Sequence, residues 1–293
     1  MKNLIIKFLG AYFRSGLRGS SRLTEFLSQR FEFLEAVPFE TNGGTVFGDM
    51  RMPVYRGLLV YSGQETDEEI VMRKFVSAGD TAFDIGVFWG LYTAYLSKMV
   101  GPAGQVHSFE PNSSLHRCLE MTAKKLGNVT LHGVALSDRT GEVDFFIPWE
   151  DASMASLTNW TDDLGWKVNK ITCQMQPLDD LIASGKAPQP DFIKCDVEGA
   201  ELSVFTGARA TLDRVDAPII MFEVNPKSMQ AFEVAADATF RFLEGLENAE
   251  YRFFEVIDGR IEPVADFSGL HFNKWGFTNA IAVPASKCGN LDI

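Results

Sequence analysis

The sequence predicts an α/β fold, a three-layer sandwich with helices on both faces of a mostly parallel sheet and antiparallel strands at its C-terminal end. Three observations predict it. From Thr81 onward, short apolar runs alternate with helical segments, and three of those runs end in Asp or Glu. The runs are largely apolar, as strands covered by helices on both faces are, and the tail supplies a hairpin signal. With 293 residues, 46% hydrophobic and 23% charged, the chain is long enough to bury such a core.

The elements follow in order. Residues 1–30 carry Lys2, Lys7, Arg14, Arg18, Arg22 and Arg30 against Glu25 alone, +5 in a chain whose net charge is −12. The opening Leu4-Ile5-Ile6-Lys7-Phe8-Leu9 is too short to span a bilayer, and no small-residue cleavage site follows it. This arm reads as a helix packed on the body, with weak contact to a membrane surface as the alternative. Thr41-Asn42-Gly43-Gly44 signals a turn and Gly57-Leu58-Leu59-Val60-Tyr61 a short strand. Residues 1–66 are therefore expected to be an extension that caps a main domain of 67–293. Thr66-Asp67-Glu68-Glu69 predicts a capped helix running to about 77.

Within the main domain, strands are expected over 81–86, 105–110, 128–135, 191–196 and 218–223. Helices are expected over 89–100, 112–127, 200–212 and 228–246. Residues 142–147 alternate like a hairpin arm. The 148–170 stretch, with Trp149, Trp160 and Trp166, predicts a long loop that serves as a lid or wall, or as plain aromatic packing. Residues 251–257, the Asp258-Gly259 turn and 279–283 supply the antiparallel end.

The acidic balance argues against nucleic-acid binding, which needs a basic face. The four cysteines, Cys118, Cys173, Cys195 and Cys288, form no CxxC pair. They read as free thiols of a reducing compartment, so a cytoplasmic location is expected.

Chemistry concentrates at the ends of the predicted strands. Asp84-Ile85-Gly86-Val87-Phe88-Trp89-Gly90 is a D-x-G-x-x-x-G turn between a strand and a helix, whose N-terminus offers N–H groups to an anion. Glu110, at the end of the second strand, can accept from both hydroxyls of a ribose. A dinucleotide fingerprint would put a second glycine where Phe88 stands, to admit a pyrophosphate. A ligand with a ribose and an amino-acid tail but no phosphates fits better, and S-adenosylmethionine is such a ligand.

The chain resembles the FkbM family of S-adenosylmethionine-dependent methyltransferases. The resemblance lies in Phe83-Asp84-Ile85-Gly86 with Gly90-Leu91-Tyr92-Thr93; in Gly101-Pro102, Gly104, Val106 and Phe109-Glu110-Pro111-Asn112; and in Val134-Ala135-Leu136-Ser137-Asp138. It continues through Leu178-Asp179 to Ile193-Lys194-Cys195-Asp196-Val197-Glu198-Gly199-Ala200-Glu201. It covers roughly 67–225 and implies a class I methyltransferase (Rossmann-like) fold with a seven-stranded, mostly parallel sheet. It also implies O-methylation, often of sugars or polyketides. By position, Asp84, Gly86, Val87 and Gly90 should hold the methionine portion and Glu110 the ribose. Pro111 should shape the adenine slot, and Ser137 and Asp138 should reach the adenine amino group, although Asp138 could equally be a turn acid. Tyr92 either closes over the ligand or packs within its helix. One departure stands out: the family usually has Gly-Ala-Asn where this chain has Gly86-Val87-Phe88.

Asp196, at a strand end, should face both the cofactor and the acceptor. A hydroxyl acceptor must lose its proton, and Asp196, Glu198 and Glu223 are the candidate bases, with Lys194 orienting them. In the alternative reading, Glu198 and Glu201 cap the following helix. Three acids could hold Mg²⁺, but no histidine accompanies them in sequence, so a metal is not expected. His107 should be core-facing or paired, His116 and His132 peripheral, and His271 part of a tail loop. The expected function is methyl transfer to a hydroxyl of a sugar, glycan precursor or small metabolite, with homo-oligomerisation left open. Its rivals are a non-catalytic binding protein on the same scaffold and an NAD-dependent oxidoreductase.

Overall fold

The apolar runs form β3 (Thr81–Ile85), β4 (Gln105–Phe109), β5 (Val129–His132), β9 (Phe192–Cys195) and β10 (Ile219–Val224), all mutually parallel where they pair. The tail adds β11 (Arg252–Ile257), β12 (Arg260–Val264) and β13 (Thr278–Val283), each pairing antiparallel. Together they make one sheet in the order β12-β11-β13-β10-β9-β3-β4-β5. The sheet therefore has eight strands, not seven, because the Asp258-Gly259 turn folds β12 back along β11 as an extra edge. This arrangement comes from a computed structural model that describes residues 2–290 apart from 16–21, 24–25, 28–29, 62, 150 and 265–266.

Burial on both faces explains the apolar composition of the central strands. Phe83, Ile85, Ile193, Ile220 and Phe222 point to one side, where α5 (Leu178–Ala183), α6 (Glu201–Thr206), α7 (Arg209–Leu212) and α9 (Ala238–Glu244) contribute Leu181, Phe205, Leu212 and Phe240. Ala82, Val106, Phe192 and Met221 point to the other, under α2 (Asp67–Phe75) and α3 (Leu91–Val100). The α2 start is a full capping box: Glu69 N–H donates to Thr66 Oγ1, and Thr66 N–H to Glu69 Oε2, both at 3.2 Å.

Residues N-terminal to α2 pack on α3 and α4 (Ser113–Leu126). Leu9 of α1 (Lys2–Arg14), Val37 of β1 (Val37–Glu40), Val46 of β2 (Thr45–Gly48), Tyr55 and Leu58 share a core with Val87, Ala94, Leu115 and Leu119. Arg18 and Glu25 of the basic arm lie outside the described residues. The expected strand at 57–61 is instead part of a 3-10 segment, Pro53–Val60, started by its proline and buried through Tyr55, Leu58 and Leu59.

Three other expectations change for local reasons. The strand expected over 128–135 divides at Gly133, where a Cβ would meet His116 at 2.7 Å, and the chain resumes as β6 (Ala135–Leu136) in a separate sheet. The helix expected over 200–212 breaks around Gly207, which lies against the Ser137 carbonyl closely enough that a Cβ would sit 1.9 Å from its oxygen. The helix expected over 228–246 divides into α8 (Pro226–Ala231) and α9, with Glu233 at φ 57° between them. The second sheet is β6-β8-β7, where β7 (Gly141–Pro148) pairs antiparallel with β8 (Val168–Gln176) and β6 lies parallel to β8. β8 takes the end of the expected 148–170 loop.

Candidate active site

A cleft opens at the C-terminal ends of β3, β4 and β9, the edge where ligands of open α/β sheets bind. Gly86 forms its floor and must be glycine. Its φ is +90°, and a Cβ would lie 1.8 Å from the Asp196 carbonyl oxygen, so the β3 and β9 loops pass backbone to backbone. Glu110, 5% exposed, stands at the end of β4 with both oxygens engaged. Oε2 accepts from Phe88 N–H and Oε1 from Asn112 N–H, each at 2.9 Å. Burial outweighs these two bonds and pushes the carboxyl up to about 7.

The facing wall is apolar. Pro111, Leu115, Leu136, Phe145 and Leu157 line it, a shape and polarity suited to a flat aromatic base. The segment between β7 and β8 serves as a wall. Ala152, Ser153, Ala155 and Leu157 line the cleft, and Ser156 Oγ donates to the Glu198 carbonyl at 2.8 Å, tying this wall to the β9 loop. Trp160 is buried, and Lys227 Nζ lies 5.8 Å from its ring centroid, whereas Trp149 is exposed.

The acidic end of the cleft is built on β9 and β10. Lys194, fully enclosed, donates to Asp196 Oδ2 at 2.9 Å and lies 4.4 Å from the centroid of the Tyr92 ring. Burial alone would lower its pKa, but Asp196 and Asp84 together hold it above the ordinary lysine value. Asp196 and Glu198 line the cleft, with Glu223 beside them on β10. Burial, and then the neighbouring Asp196 charge, hold Glu198 and Glu223 well above the usual carboxylate range. Glu201 has a different task. Its Oε1 accepts from Val197 N–H at 3.0 Å and Gly199 N–H at 3.4 Å, closing the loop that opens α6.

Of the residues singled out from sequence, Gly86, Glu110, Pro111, Asp196 and Glu198 line the cleft, whereas Asp84, Val87, Gly90, Tyr92, Ser137, Asp138 and Glu223 do not. Asp84 is fully buried, its Oδ2 accepting from Thr93 Oγ1 at 2.6 Å. Val87 belongs to the core beneath the N-terminal segment, and Gly90 is the N-cap of α3. Tyr92 donates to Glu68 Oε2 at 3.3 Å. Ser137 donates to Asp138 Oδ1 at 3.2 Å, and that oxygen also pairs with Arg139. His107 and His132 are paired through ring nitrogens at 2.9 Å, and His132 stacks on Phe109, so it is not peripheral. His116 is not peripheral either. Its Nε2 contacts the Glu110 carbonyl at 2.7 Å, buttressing the end of β4. Sequence carries no signal for that bond, because its partner is backbone.

The Methyltransferase FkbM domain matches residues 74–253. The hexuronic acid methyltransferase AglP of Haloferax volcanii is 29% identical over 153 residues, covering 51% of this chain and 59% of that protein. The 2-O-methyltransferase NoeI of Sinorhizobium fredii is 30% identical over 125 residues, 39% of this chain and 51% of that protein. The chain thus spans little more than half the length of either relative. A solved FkbM methyltransferase from Methylobacillus flagellatus superposes with a TM-score of 0.45 at 17% identity, covering 69% of this chain and 43% of that one. Matched by its domain model over more than half its length, the chain belongs to the FkbM methyltransferase family.

Proposed function

We propose that this protein is an S-adenosylmethionine-dependent O-methyltransferase acting on a hydroxyl of a sugar or glycan precursor. One observation carries the reading: a single cleft holds a buried, hydrogen-bonded acid at the end of β4 and carboxylates at the end of β9, with apolar walls between them. Glu110 would hold the ribose hydroxyls, Pro111, Leu115 and Leu157 the adenine, and the glycine-lined β3 turn the amino-acid tail. When bound, S-adenosylmethionine supplies a methyl group on a sulfonium, whose C–S bond breaks as the acceptor oxygen bonds to that carbon. The chain's own residues align the acceptor and take its proton. Asp196 is pinned by Lys194, whereas Glu198, held well above the usual carboxylate range, is the better proton acceptor. The sugar assignment is supported by the names of the two relatives. A nicotinamide dinucleotide is disfavoured because Phe88 lines the cleft where a pyrophosphate would need glycine.

Titration calorimetry with S-adenosylmethionine and S-adenosylhomocysteine tests the reading. Binding lost in Glu110→Ala is expected; no binding to the unaltered protein would favour a scaffold without methyl transfer.

No helix among the described residues is long and apolar enough to cross a membrane. We propose a cytoplasmic location, a reading that the free thiols of Cys118, Cys173 and Cys195 support. The α1 face with exposed Leu4, Lys7 and Phe8 suits weak contact with an anionic membrane surface. Liposome association unchanged on deleting 1–30 would refute that contact.

A further inference from the structure

The acidic end of the cleft gathers three carboxyl groups around one paired lysine. Asp196, Glu198 and Glu223 each place a carboxylate oxygen within 4.8 Å of the other two. Among the described residues, Lys194 is the cation paired with this group, and it bonds to Asp196 alone. Glu223 is 8% exposed, and its Oε2 is sealed from solvent with no hydrogen-bond partner. A buried carboxylate oxygen that accepts nothing is costly, and native proteins rarely leave one so unless a ligand completes it. Glu201 cannot relieve it, being engaged with the Val197 and Gly199 amides.

We infer that Asp196, Glu198 and Glu223 hold a hard divalent cation, Mg²⁺ or Mn²⁺, at the acceptor end of the cleft. The donor set decides the class of ion. Three carboxylates with no histidine or thiolate select an oxygen-preferring ion over zinc or copper. Cys195 is excluded by orientation, since its side chain joins the core on the opposite face of the sheet. Lys194 bonds to Asp196, so among the described residues Glu198 and Glu223 have no cation bonded to them, and a divalent ion would supply one. It would also give the orphaned Glu223 oxygen a partner.

The ion's role rests on the O-methyltransferase reading; its existence does not. Three protein ligands leave coordination positions open toward the cleft, where Asp196 and Glu198 form the wall. An acceptor with two adjacent oxygens, such as a vicinal diol, would chelate there. The cation lowers the pKa of the reacting hydroxyl. The O–H bond then breaks, its electron pair stays on oxygen, and the proton passes to the Glu198 oxygen not engaged by the ion. Nothing is oxidised or reduced.

The test is Mn²⁺ alone, titrated against the full chain and followed by the electron paramagnetic resonance of the free ion. One bound ion is expected, with affinity lowered about tenfold or more by Glu223→Gln and by Glu198→Gln. Each variant's fold is checked by thermal melting and by retained S-adenosylhomocysteine binding. Absence of binding at millimolar Mn²⁺, or equal binding by wild type and the double Gln variant, overturns the inference. Glu110→Ala separates the two proposals. It should abolish S-adenosylhomocysteine binding and leave Mn²⁺ binding intact. Mn²⁺ binding by a protein that never binds S-adenosylhomocysteine would uphold the cation site and refute the methyltransferase reading.

Discussion

The ionisation of Glu110 should make cofactor affinity depend on pH. Its carboxyl is 5% exposed, and burial pushes it up to about 7 from an ordinary 4.5. In the proposed binding mode ribose hydroxyls donate to the ionised form, so binding requires the proton to leave. At pH 6 only about one molecule in ten carries the charge, so S-adenosylhomocysteine should bind roughly tenfold more weakly than at pH 8. The free protein has the opposite sign. A raised folded pKa contributes stability that is fully present below the unfolded value and lost as pH rises through about 7. The shift corresponds to roughly 3 kcal/mol at the upper limit. Glu110→Gln should therefore flatten the affinity profile, weaken binding at pH 8 by roughly 10–100-fold, and stabilise the free protein at that pH. Calorimetric titrations and urea melts at pH 6, 7 and 8 measure all three. An affinity that does not change between pH 6 and 8, or a Gln variant with the wild-type slope, would refute the reasoning.

Other outcomes follow from single contacts. Gly86→Ala should cost at least ~3 kcal/mol in a urea melt, combining a +90° φ with a Cβ at 1.8 Å from a backbone oxygen; a loss below ~1 kcal/mol would mean the two loops part easily. Lys194→Met leaves Asp84 and Asp196 without their shared cation and should cost about 3–5 kcal/mol. Asp84→Asn in the same chain should recover part of that loss, and a strictly additive double variant would contradict the coupling. Gly57→Ala would bring a Cβ to 2.2 Å from the Trp89 ring and should cost about 1–3 kcal/mol, relieved when Trp89 is also replaced by Leu; no relief would show that the ring is not what crowds Gly57.

The main sheet was legible because its central strands β3, β9 and β10 are buried on both faces and mostly apolar, and because acids and glycines mark the strand ends. The failures lie where tertiary contact overrides local pattern. β8 has a burial pattern with most residues exposed or half-buried, so Val168–Gln176 gives little hydrophobic signal. The breaks at Gly133 and Gly207 depend on His116 and on the Ser137 carbonyl, partners 17 and 70 residues away that no local window contains. The site divides in the same way. Glu110, Asp196 and Glu198 sit at strand ends, where topology alone brings them to one edge. That Glu201 serves the loop while Glu198 and Glu223 approach Asp196 depends on side-chain direction, which spacing does not encode.

The departure at Val87-Phe88-Trp89 acquires a physical meaning in the fold. Phe88 adopts φ 51°, a left-handed conformation that the asparagine usual in the family tolerates and a phenylalanine resists by about 1–2 kcal/mol. Two contacts offset that strain: the Phe88 ring stacks on Trp89 at 4.8 Å, and Trp89 seats against Gly57 in the N-terminal segment. The same Phe88 amide donates to Glu110 Oε2. The N-terminal segment is thus joined to Glu110 through two consecutive residues. Trp89→Ala should therefore lower stability by about 2–3 kcal/mol and weaken S-adenosylhomocysteine binding as well, because a loosened Phe88 no longer holds the Glu110 carboxylate. Phe88→Asn keeps the amide and removes the strain, so it should preserve binding. Weak binding in Phe88→Asn with full binding in Trp89→Ala would reverse the assignment and make the Phe88 ring itself the contact that matters.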